Sequence, residues 1–321
     1  MQVCAIGCGN VGFNTLKAFQ IRGHSVFGVD ISKAARGNVA DSFGAHAVID
    51  RLAELSGMDI VFICVPTDPD EVTGHADLSI MEEVVRGLSS LESRPAWRRH
   101  PPVIVQRSTC PPGSAARFSA EFEHTPYAVN PSFLSKATQW EDSDRPPRIA
   151  YAGPSEATEV LDEVYKEFTG APRYVSTSYE AVELLKYIEN SIDAVLISLW
   201  NEYLQLSDAL GMQRRFFVEL AREITSRDRF ATTLRVPGGS FGKWCLPKDL
   251  SALLGMCADL GVAGHVLRGA QLTNQQMKDH GENLAATSEL LALSGGRTVP
   301  TDTAATALLG GCQGVPGADG C

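Results

Sequence analysis

The sequence lacks any apolar run that approaches the roughly 20 residues a membrane-spanning helix needs. It also lacks an excess of positive charge, because 28 lysines and arginines face 38 aspartates and glutamates, for a net charge of −10. That balance argues against a surface that tracks nucleic-acid phosphates. The 8 cysteines form no CxxC pair and no zinc-finger spacing, so we expect a reducing compartment and no metal site. These absences predict a cytoplasmic enzyme or binding protein.

Short apolar runs alternate with helical patterns over the first half of the chain. The runs are typical of buried strands: MQVCAIG, SVFGVD, MDIVFICVP, PVIVQRST, YAVN, PRIAYAG and PRYVST. Their alternation with helices predicts an α/β fold whose parallel sheet is doubly wound and covered on both faces. From Ser178 to Leu210 no glycine or proline interrupts a helical pattern, and Gly211 follows it. This segment predicts one long helix at the start of an all-α region.

A glycine-rich turn, GCGNVG, follows the first predicted strand and opens a helix. Gly7 permits the tight turn, Gly9 lets the backbone approach a pyrophosphate, and Gly12 allows close packing of helix on strand. Asp30 ends the second predicted strand, where a carboxylate accepts hydrogen bonds from a ribose 2′-hydroxyl and repels a 2′-phosphate. The combination predicts that NAD, rather than NADP, contacts Gly7, Gly9, Asn10, Val11, Gly12 and Asp30.

The predicted elements divide the chain into three parts. A Rossmann-type domain is expected over residues 1–176, and an all-α domain built on the long helix over 177–293. Residues 294–321 are rich in Gly, Ala, Thr and Pro without an amphipathic period. We expect that tail to be poorly ordered.

Three polar residues share one face of the long predicted helix, because Glu183, Lys186 and Asn190 lie three and four positions apart. Such a stripe usually faces solvent. The apolar residues around this one instead predict a helix buried on several sides, in which a lysine needs a partner or a chemical role.

Cys245 lies in SFGKWCLPKDL, after a glycine-containing approach and just before Lys248 and Asp249. A lone cysteine is more often buried and unreactive than catalytic. Neighbouring charge and a flexible approach are what a reactive thiol needs. Both interpretations, a packing residue and a nucleophile, stay open on these residues alone.

Several stretches together resemble the UDP-glucose/GDP-mannose dehydrogenase family, in that family's order. They are IGCGNVG, VFICVPT (61–67), ADLS (76–79), STCPPG (108–113), NPSFL (130–134), PRIAYAG (147–153), AVELLKYIEN (181–190), NE (201–202) and FGKWCLPKD (241–249). The resemblance implies oxidation of the C6 alcohol of a nucleotide sugar to a carboxylate with two NAD. It adds cofactor contacts at Val65, Pro66, Thr67, Ser108 and Thr109. It implies substrate contacts at Asn130, Ser132, Phe133, Leu134, Lys136, Lys186, Phe241, Gly242 and Lys243.

The resemblance also implies catalytic roles. Cys245 would capture the aldehyde as a thiohemiacetal, which a second hydride transfer converts into a thioester. Lys186 and Asn190 would stabilise the developing oxyanions. Asp249 would position water and move protons, and Thr109 would lie beside the nicotinamide and the substrate hydroxyl.

Departures from the family pattern concern the substrate side. Ser132 and Lys136 stand where the family has glutamates, and the bulky Lys243 and Trp244 replace small residues. No third, nucleotide-holding domain is recognisable after the predicted helices, so we expect a truncated, diverged member. Lys136 and Lys243 suggest an anionic substrate that carries a phosphate or phosphonate, although both are equally compatible with an exposed surface.

Two other functions remain open: a two-electron dehydrogenase of the β-hydroxyacid type, and a catalytically silent NAD-binding homologue. The resemblance further implies a homodimer formed through the long helix. The candidate contact residues are Val195, Leu196, Leu199 and Trp200, which a single-chain core would bury equally well.

Overall fold

The computed structural model describes residues 1–70, 73–135, 138–226, 240–241 and 245–279. These residues form two compact units. The first comprises Met1–Glu189 and Ser251–Leu260, and the second comprises Asn190–Leu250 and the residues from Gly261 onward. The division between the units falls between residues 189 and 190, inside the long predicted helix and beyond the boundary predicted at 176/177. The predicted domain bounds stay a prediction. The predicted tail over 294–321 lies outside the described residues.

A seven-stranded sheet forms the centre of the first unit. Its strands are β1 (Gln2–Ile6), β2 (Ser25–Val29), β3 (Ile60–Ile63), β4 (Val103–Gln106), β5 (Tyr127–Val129), β6 (Ile149–Ala152) and β7 (Arg173–Ser176). The strands lie in the order β2-β1-β3-β4-β5-β6-β7. Every predicted strand is present, and the α/β fold class is confirmed.

The direction of β6 differs from the prediction of a parallel sheet. Strands β1 to β5 are parallel, whereas β6 pairs antiparallel with β5 through Val129 and Ala152, and β7 is parallel to β6. A parallel connection must carry the chain back across the sheet. Among the described residues of the link between β5 and β6, the one helix is Gln139–Asp144, whose six residues advance the chain by about 9 Å, less than a parallel crossover needs.

Helices cover both faces of the sheet in the first unit. They are α1 (Asn10–Gln20), α2 (Lys33–Phe43), α3 (Ser79–Ser89), α4 (Pro95–Arg99), α5 (Ser114–Ser119), α6 (Gln139–Asp144) and α7 (Ser155–Val164), with short 3-10 helices at Ala45–Ala47, Leu52–Glu54 and Ser90–Ser93. Alternate residues of β1 enter different apolar cores, since Val3 and Ala5 pack on one face and Cys4 and Ile6 on the other. A strand buried on both faces explains why β1 appears in the sequence as a continuous apolar run.

The long helix predicted from Ser178 to Leu210 is α8 (Tyr179–Ala209), and Gly211 follows it with a φ of +67°. The later helices are α9 (Arg214–Thr225), α10 (Cys245–Asp259) and α11 (His265–Asp279). Within the second unit, Trp200 and Leu204 of α8 pack against α9. Among the described residues no helix, α8 included, is both long enough and apolar enough to span a bilayer.

Candidate active site

The glycine turn between β1 and α1 has the geometry that its sequence predicts. Gly7 has a φ of +88°, and a Cβ there would lie 2.5 Å from the carbonyl oxygen of Cys64. A Cβ on Gly12 would collide with the carbonyl oxygen of Gly7. On Gly9, by contrast, a Cβ would meet no protein atom within 4 Å. Two glycines are therefore required by the turn itself, and the third leaves the approach to the N-terminus of α1 open for a ligand.

Asp30 is fixed beside this turn at the end of β2. Its carboxylate accepts hydrogen bonds from the backbone N–H groups of Cys8 (2.6 Å) and Ser32 (2.7 Å). The Arg36 guanidinium donates to the Asp30 carbonyl oxygen at 2.7 Å, which holds the strand end in place. A carboxylate has about four acceptor positions, so Asp30 keeps capacity for a ribose hydroxyl. Its position, together with the open turn, fits NAD, and Asn10 and Val11 are the first residues of α1.

The segments that follow β3 and β4 are tied to each other near the same edge of the sheet. The Thr67 hydroxyl donates to the carbonyl oxygen of Thr109 at 2.7 Å. The Ser108 hydroxyl donates to the carbonyl oxygen of Val65 at 2.7 Å. Pro66, which lies between Val65 and Thr67 in the sequence, is exposed. Dinucleotides bind outside the carboxyl ends of parallel strands, which is where the predicted cofactor residues lie.

A small depression in the first unit brings Thr109 and Lys186 together. Its lining comprises Gln106, Ser108, Thr109, Cys110, Val129, Pro131, Glu183 and Lys186. Lys186 is only 6% exposed, and its Nζ lies 5.3 Å from the ring centre of Phe133. Glu183, Lys186 and Asn190 are all buried, as the apolar surroundings of the stripe predicted. A buried lysine side chain therefore lines the same depression as Thr109, the residue for which the family resemblance implies a catalytic role.

Glu183 makes the densest set of contacts in this depression. Its carboxylate accepts from the Gln106 side chain at 2.9 Å and from the backbone N–H groups of Gly113 and Ala115, both at 2.8 Å. Burial raises the pKa of the Glu183 carboxyl to about 7, against these hydrogen bonds, which favour the ionised form. The sequence pattern placed Glu183 on the polar face of the helix but indicated no role for it.

The NPSFL loop begins with a residue that supports the loop. Asn130 is 1% exposed, its Oδ1 accepts from Arg107 (2.5 Å) and Tyr165 (2.6 Å), and its Nδ2 donates to the carbonyl oxygen of Ala150 (2.7 Å). All of its polar groups are thus occupied within the protein, so Asn130 positions the loop instead of presenting a free amide to a substrate. Arg107, which no sequence motif indicated, anchors this network from the residue directly after β4.

The remaining predicted substrate residues of this loop differ in burial. Phe133 is buried beneath Lys186, and Leu134 is partly exposed. The hydroxyl of Ser132 is buried without a hydrogen-bond partner among the described residues. Lys136 lies outside them, as do Gly242 and Lys243. Phe241 is buried in the second unit, where its backbone N–H donates to the Asn274 side chain at 2.7 Å.

The second unit brings Asn190, Asp249 and Lys248 together. Asp249 is 2% exposed, accepts a short hydrogen bond from the Asn190 amide, and has its Oδ1 2.6 Å from the Lys248 Nζ. Cys245 is the first residue of α10 and is exposed. Because Cys245 and Asp249 are four residues apart on one helix, they share a face. An accessible thiol therefore lies one turn from a buried, hydrogen-bonded carboxylate.

Two cysteines in the first unit have the opposite character. Burial raises the pKa of the Cys4 thiol well above its usual value and that of Cys8 to about 12, so both are packing residues, as predicted for cysteines in apolar strands. No group of three or more His, Cys, Asp or Glu in the described part of the chain is arranged to hold a metal ion.

Comparison with known proteins identifies the family. Residues 45–169 match the NAD binding domain of the UDP-glucose/GDP-mannose dehydrogenase family, and residues 180–276 match its central domain. A GDP-mannose 6-dehydrogenase from Pseudomonas putida is 28% identical over 309 residues, which cover 86% of this chain and 68% of that protein. The glycine turn precedes the matched segments, so its geometry supports NAD binding independently.

Solved structures extend the comparison. A UDP-glucose dehydrogenase from the archaeon Pyrobaculum islandicum superposes with a TM-score of 0.74 at 26% identity, over 87% of this chain and 69% of that one. A 3-hydroxyisobutyrate dehydrogenase from Mycobacterium tuberculosis, at 18% identity and a TM-score of 0.61 over 91% of this chain and 98% of that one, shares the fold alone. The chain belongs to the UDP-glucose/GDP-mannose dehydrogenase family and is an NAD-dependent oxidoreductase acting on CH–OH groups.

Proposed function

We propose that this protein oxidises the primary alcohol of a nucleotide sugar to a carboxylate in two NAD-dependent steps, through a covalent adduct on Cys245. The observation that carries the proposal is the arrangement in the second unit: an exposed thiol one helical turn from Asp249, whose carboxylate is bonded to Asn190. A two-electron dehydrogenase needs no thiol at this position. The relatives that share the family are named for GDP-mannose and UDP-glucose, which supports the substrate class.

The proposed chemistry balances in successive steps. The alcohol carbon gives a hydride to NAD and the hydroxyl gives up its proton, which yields the aldehyde. The Cys245 thiol then adds to the carbonyl carbon, and the thiol proton moves to the oxygen to give a thiohemiacetal. A second hydride leaves the same carbon for a second NAD and the hydroxyl proton is released, which leaves a thioester. Water finally cleaves the C–S bond to yield the carboxylate, a proton and the free thiol.

Side chains of this protein stabilise the charges that develop in these steps. The Lys186 ammonium group and the Asn190 amide are donors suited to an oxyanion, and one removed donor typically costs about 10²–10³ in kcat. Asp249 is assigned the proton of the hydrolytic water, because Ser132 stands where the family has a glutamate. Thr109 is assigned the substrate hydroxyl.

Stoichiometry tests this function directly. With GDP-mannose or UDP-glucose, we expect two NADH to form for each molecule of nucleotide sugar consumed. NADH is measured by absorbance, and the carboxylate product is quantified by mass spectrometry. A yield of one NADH would contradict the thioester route and favour the two-electron alternative. Sugar phosphates and phosphonates without a nucleotide form the second arm of the panel. Turnover confined to that arm would contradict the proposed substrate class and support the anionic substrate that Lys136 and Lys243 suggest.

We also propose a homodimer, with an interface on the second unit. Ile192, Leu199 and Leu206 are exposed by 52%, 38% and 57% and recur every seven residues along α8, a spacing typical of helix–helix packing. Of the predicted interface residues, Val195 and Leu196 are partly buried and Leu199 is exposed. Trp200 is 7% exposed and packs on Phe217 in the core of its own unit, which makes it a poor interface residue.

The interface is tested by replacing Leu199 and Leu206 with glutamate. We expect light scattering at micromolar concentration to show twice the mass of the chain for the unaltered protein and the mass of one chain for the double variant. Glu219 and Glu223 are exposed on α9 of the same unit. The second unit therefore already tolerates exposed negative charge on a helix surface. A monomeric unaltered protein would contradict the dimer.

A further inference from the structure

The carboxylate of Glu183 faces three hydrogen-bond donors. Its Oε1 accepts from the Gln106 Nε2 and the Ala115 N–H, and its Oε2 accepts from the Gly113 N–H. The orientation of Gln106 is set independently, because its Oε1 accepts from the Tyr127 hydroxyl at 3.2 Å, which leaves its NH₂ group to point at Glu183. With donors on both oxygens, the site requires an acceptor at each position. An ionised carboxylate accepts on both oxygens without restriction, whereas a protonated carboxyl carries a donor O–H on one of them.

These bonds fix the segment that follows Thr109. Gly113 lies four residues after Thr109, and Pro111 and Pro112 stiffen the connection between them. The other end of the segment is held where Thr67 donates to the carbonyl oxygen of Thr109. The loop over 109–113 is thus attached to the sheet side at Thr109 and to α8 at Gly113. Loss of the attachment at Gly113 leaves the loop held on the sheet side alone, without its link to α8.

Glu183 and Lys186 lie on one face of α8, three residues apart, and both line the depression with Thr109. We infer that Glu183 is a positioning residue. Its carboxylate holds the 109–113 loop on α8 and so fixes the position of Thr109 relative to Lys186 in the depression. This inference rests on the proposed function for the roles of Thr109 and Lys186. The loop attachment itself is independent of any substrate.

The attachment responds to pH near neutrality. Because burial raises the pKa of Glu183 to about 7, the carboxyl becomes protonated as the pH falls from 8 to 6. Protonation removes the negative charge and places an O–H on one oxygen, so the hydrogen bonds from the loop amides to this carboxyl become weaker. Other titratable or charged groups that face Glu183 are Glu180 and Lys186 on α8, Cys110 on the loop and Tyr127 on β5.

Glu183→Gln tests the inference by replacing one oxygen with an NH₂ group of the same shape. The substituted amide keeps one acceptor and turns a donor toward the N–H of Gly113. We expect hydrogen exchange at the Gly113 and Ala115 amides to accelerate at least about tenfold. We expect kcat to fall by about a hundredfold, as a displaced reacting group would cause, with KM for the nucleotide sugar changed by less than about threefold. A general loss of structure would change both constants.

Two controls make the result specific. Glu159→Gln makes the same replacement on α7, at an exposed position that does not line the depression, and it should leave exchange and kcat unchanged. Glu92 is the internal control, because its carboxylate accepts from the amides of Glu123, His124 and Thr125. Burial opposes ionisation of Glu92, but these bonds outweigh it and lower the pKa of its carboxyl. Protection of those three amides should therefore be constant from pH 8 to 6.

The unaltered protein provides a test that needs no variant. After correction for intrinsic exchange rates, protection of Gly113 and Ala115 should fall as the pH drops from 8 to 6, and the acid limb of kcat should follow it. Unchanged protection at both amides, in the variant and across this pH range, would overturn the inference. Accelerated exchange together with no NADH from any substrate would refute the proposed function and still support the loop attachment.

Discussion

Replacing Cys245 by alanine is expected to stop the reaction after the first hydride transfer. The variant should release one NADH per nucleotide sugar instead of two and accumulate the aldehyde. Without a sulfur nucleophile no thiohemiacetal forms, so the second hydride donor is missing, and carboxylate formation should fall by about 10³ or more. The measurement is NADH per substrate by absorbance, combined with trapping of the aldehyde by a hydrazine and its detection by mass spectrometry.

A second cysteine on the same helix is the matched control. Cys257 lies three turns further along α10 and is buried, so Cys257→Ala changes a thiol without touching the proposed site. That variant should keep both NADH equivalents. Two NADH from the Cys245→Ala enzyme would contradict the covalent route, since the carboxylate would then arise from the aldehyde without a sulfur adduct. In the unaltered enzyme, incubation with the aldehyde and NAD should give a mass increment on the peptide that carries Cys245.

The strands and the long helix were predictable because each leaves a pattern in the local sequence. The central strands of the sheet are buried on both faces, so they appear as continuous apolar runs, and α8 lacks both glycine and proline over its whole length. The direction of β6 was not predictable in the same way. An apolar run carries no information on strand direction, which is a property of the link between strands and not of the strand itself.

The site was predictable in part, for a similar reason. The glycine turn is a local backbone requirement, so its spacing in the sequence predicts the positions of Gly7 and Gly12. The bond between Asn190 and Asp249 joins residues 59 positions apart, and no local pattern encodes such a contact. Only the family resemblance placed those two residues in one site. Arg107 had a weaker signal, a charged residue directly after a buried strand, which predicts an internal partner.

At Gly9 the glycine turn needs a small residue for the cofactor and not for the fold. We therefore expect Gly9→Ala to weaken NAD binding without changing stability. Gly9 has a φ of −70°, which any residue adopts, and its added methyl group would meet no protein atom within 4 Å. The methyl group would instead occupy the approach to the pyrophosphate of NAD. We expect the Kd for NAD to rise at least about tenfold, or ~1.4 kcal/mol, by isothermal titration. Thermal unfolding without NAD should be nearly unchanged.

Two other glycines give the contrast that makes this result interpretable. In Gly12→Ala the methyl group would collide with the carbonyl oxygen of Gly7, so that variant should lose thermal stability as well as NAD binding. Gly37 is exposed on α2, where an added methyl group meets no protein atom within 4 Å, and Gly37→Ala should bind NAD normally and unfold at a slightly higher temperature. If Gly9→Ala binds NAD as tightly as the unaltered protein, the pyrophosphate does not pass over this turn, and Asp30 then loses its proposed role at the ribose.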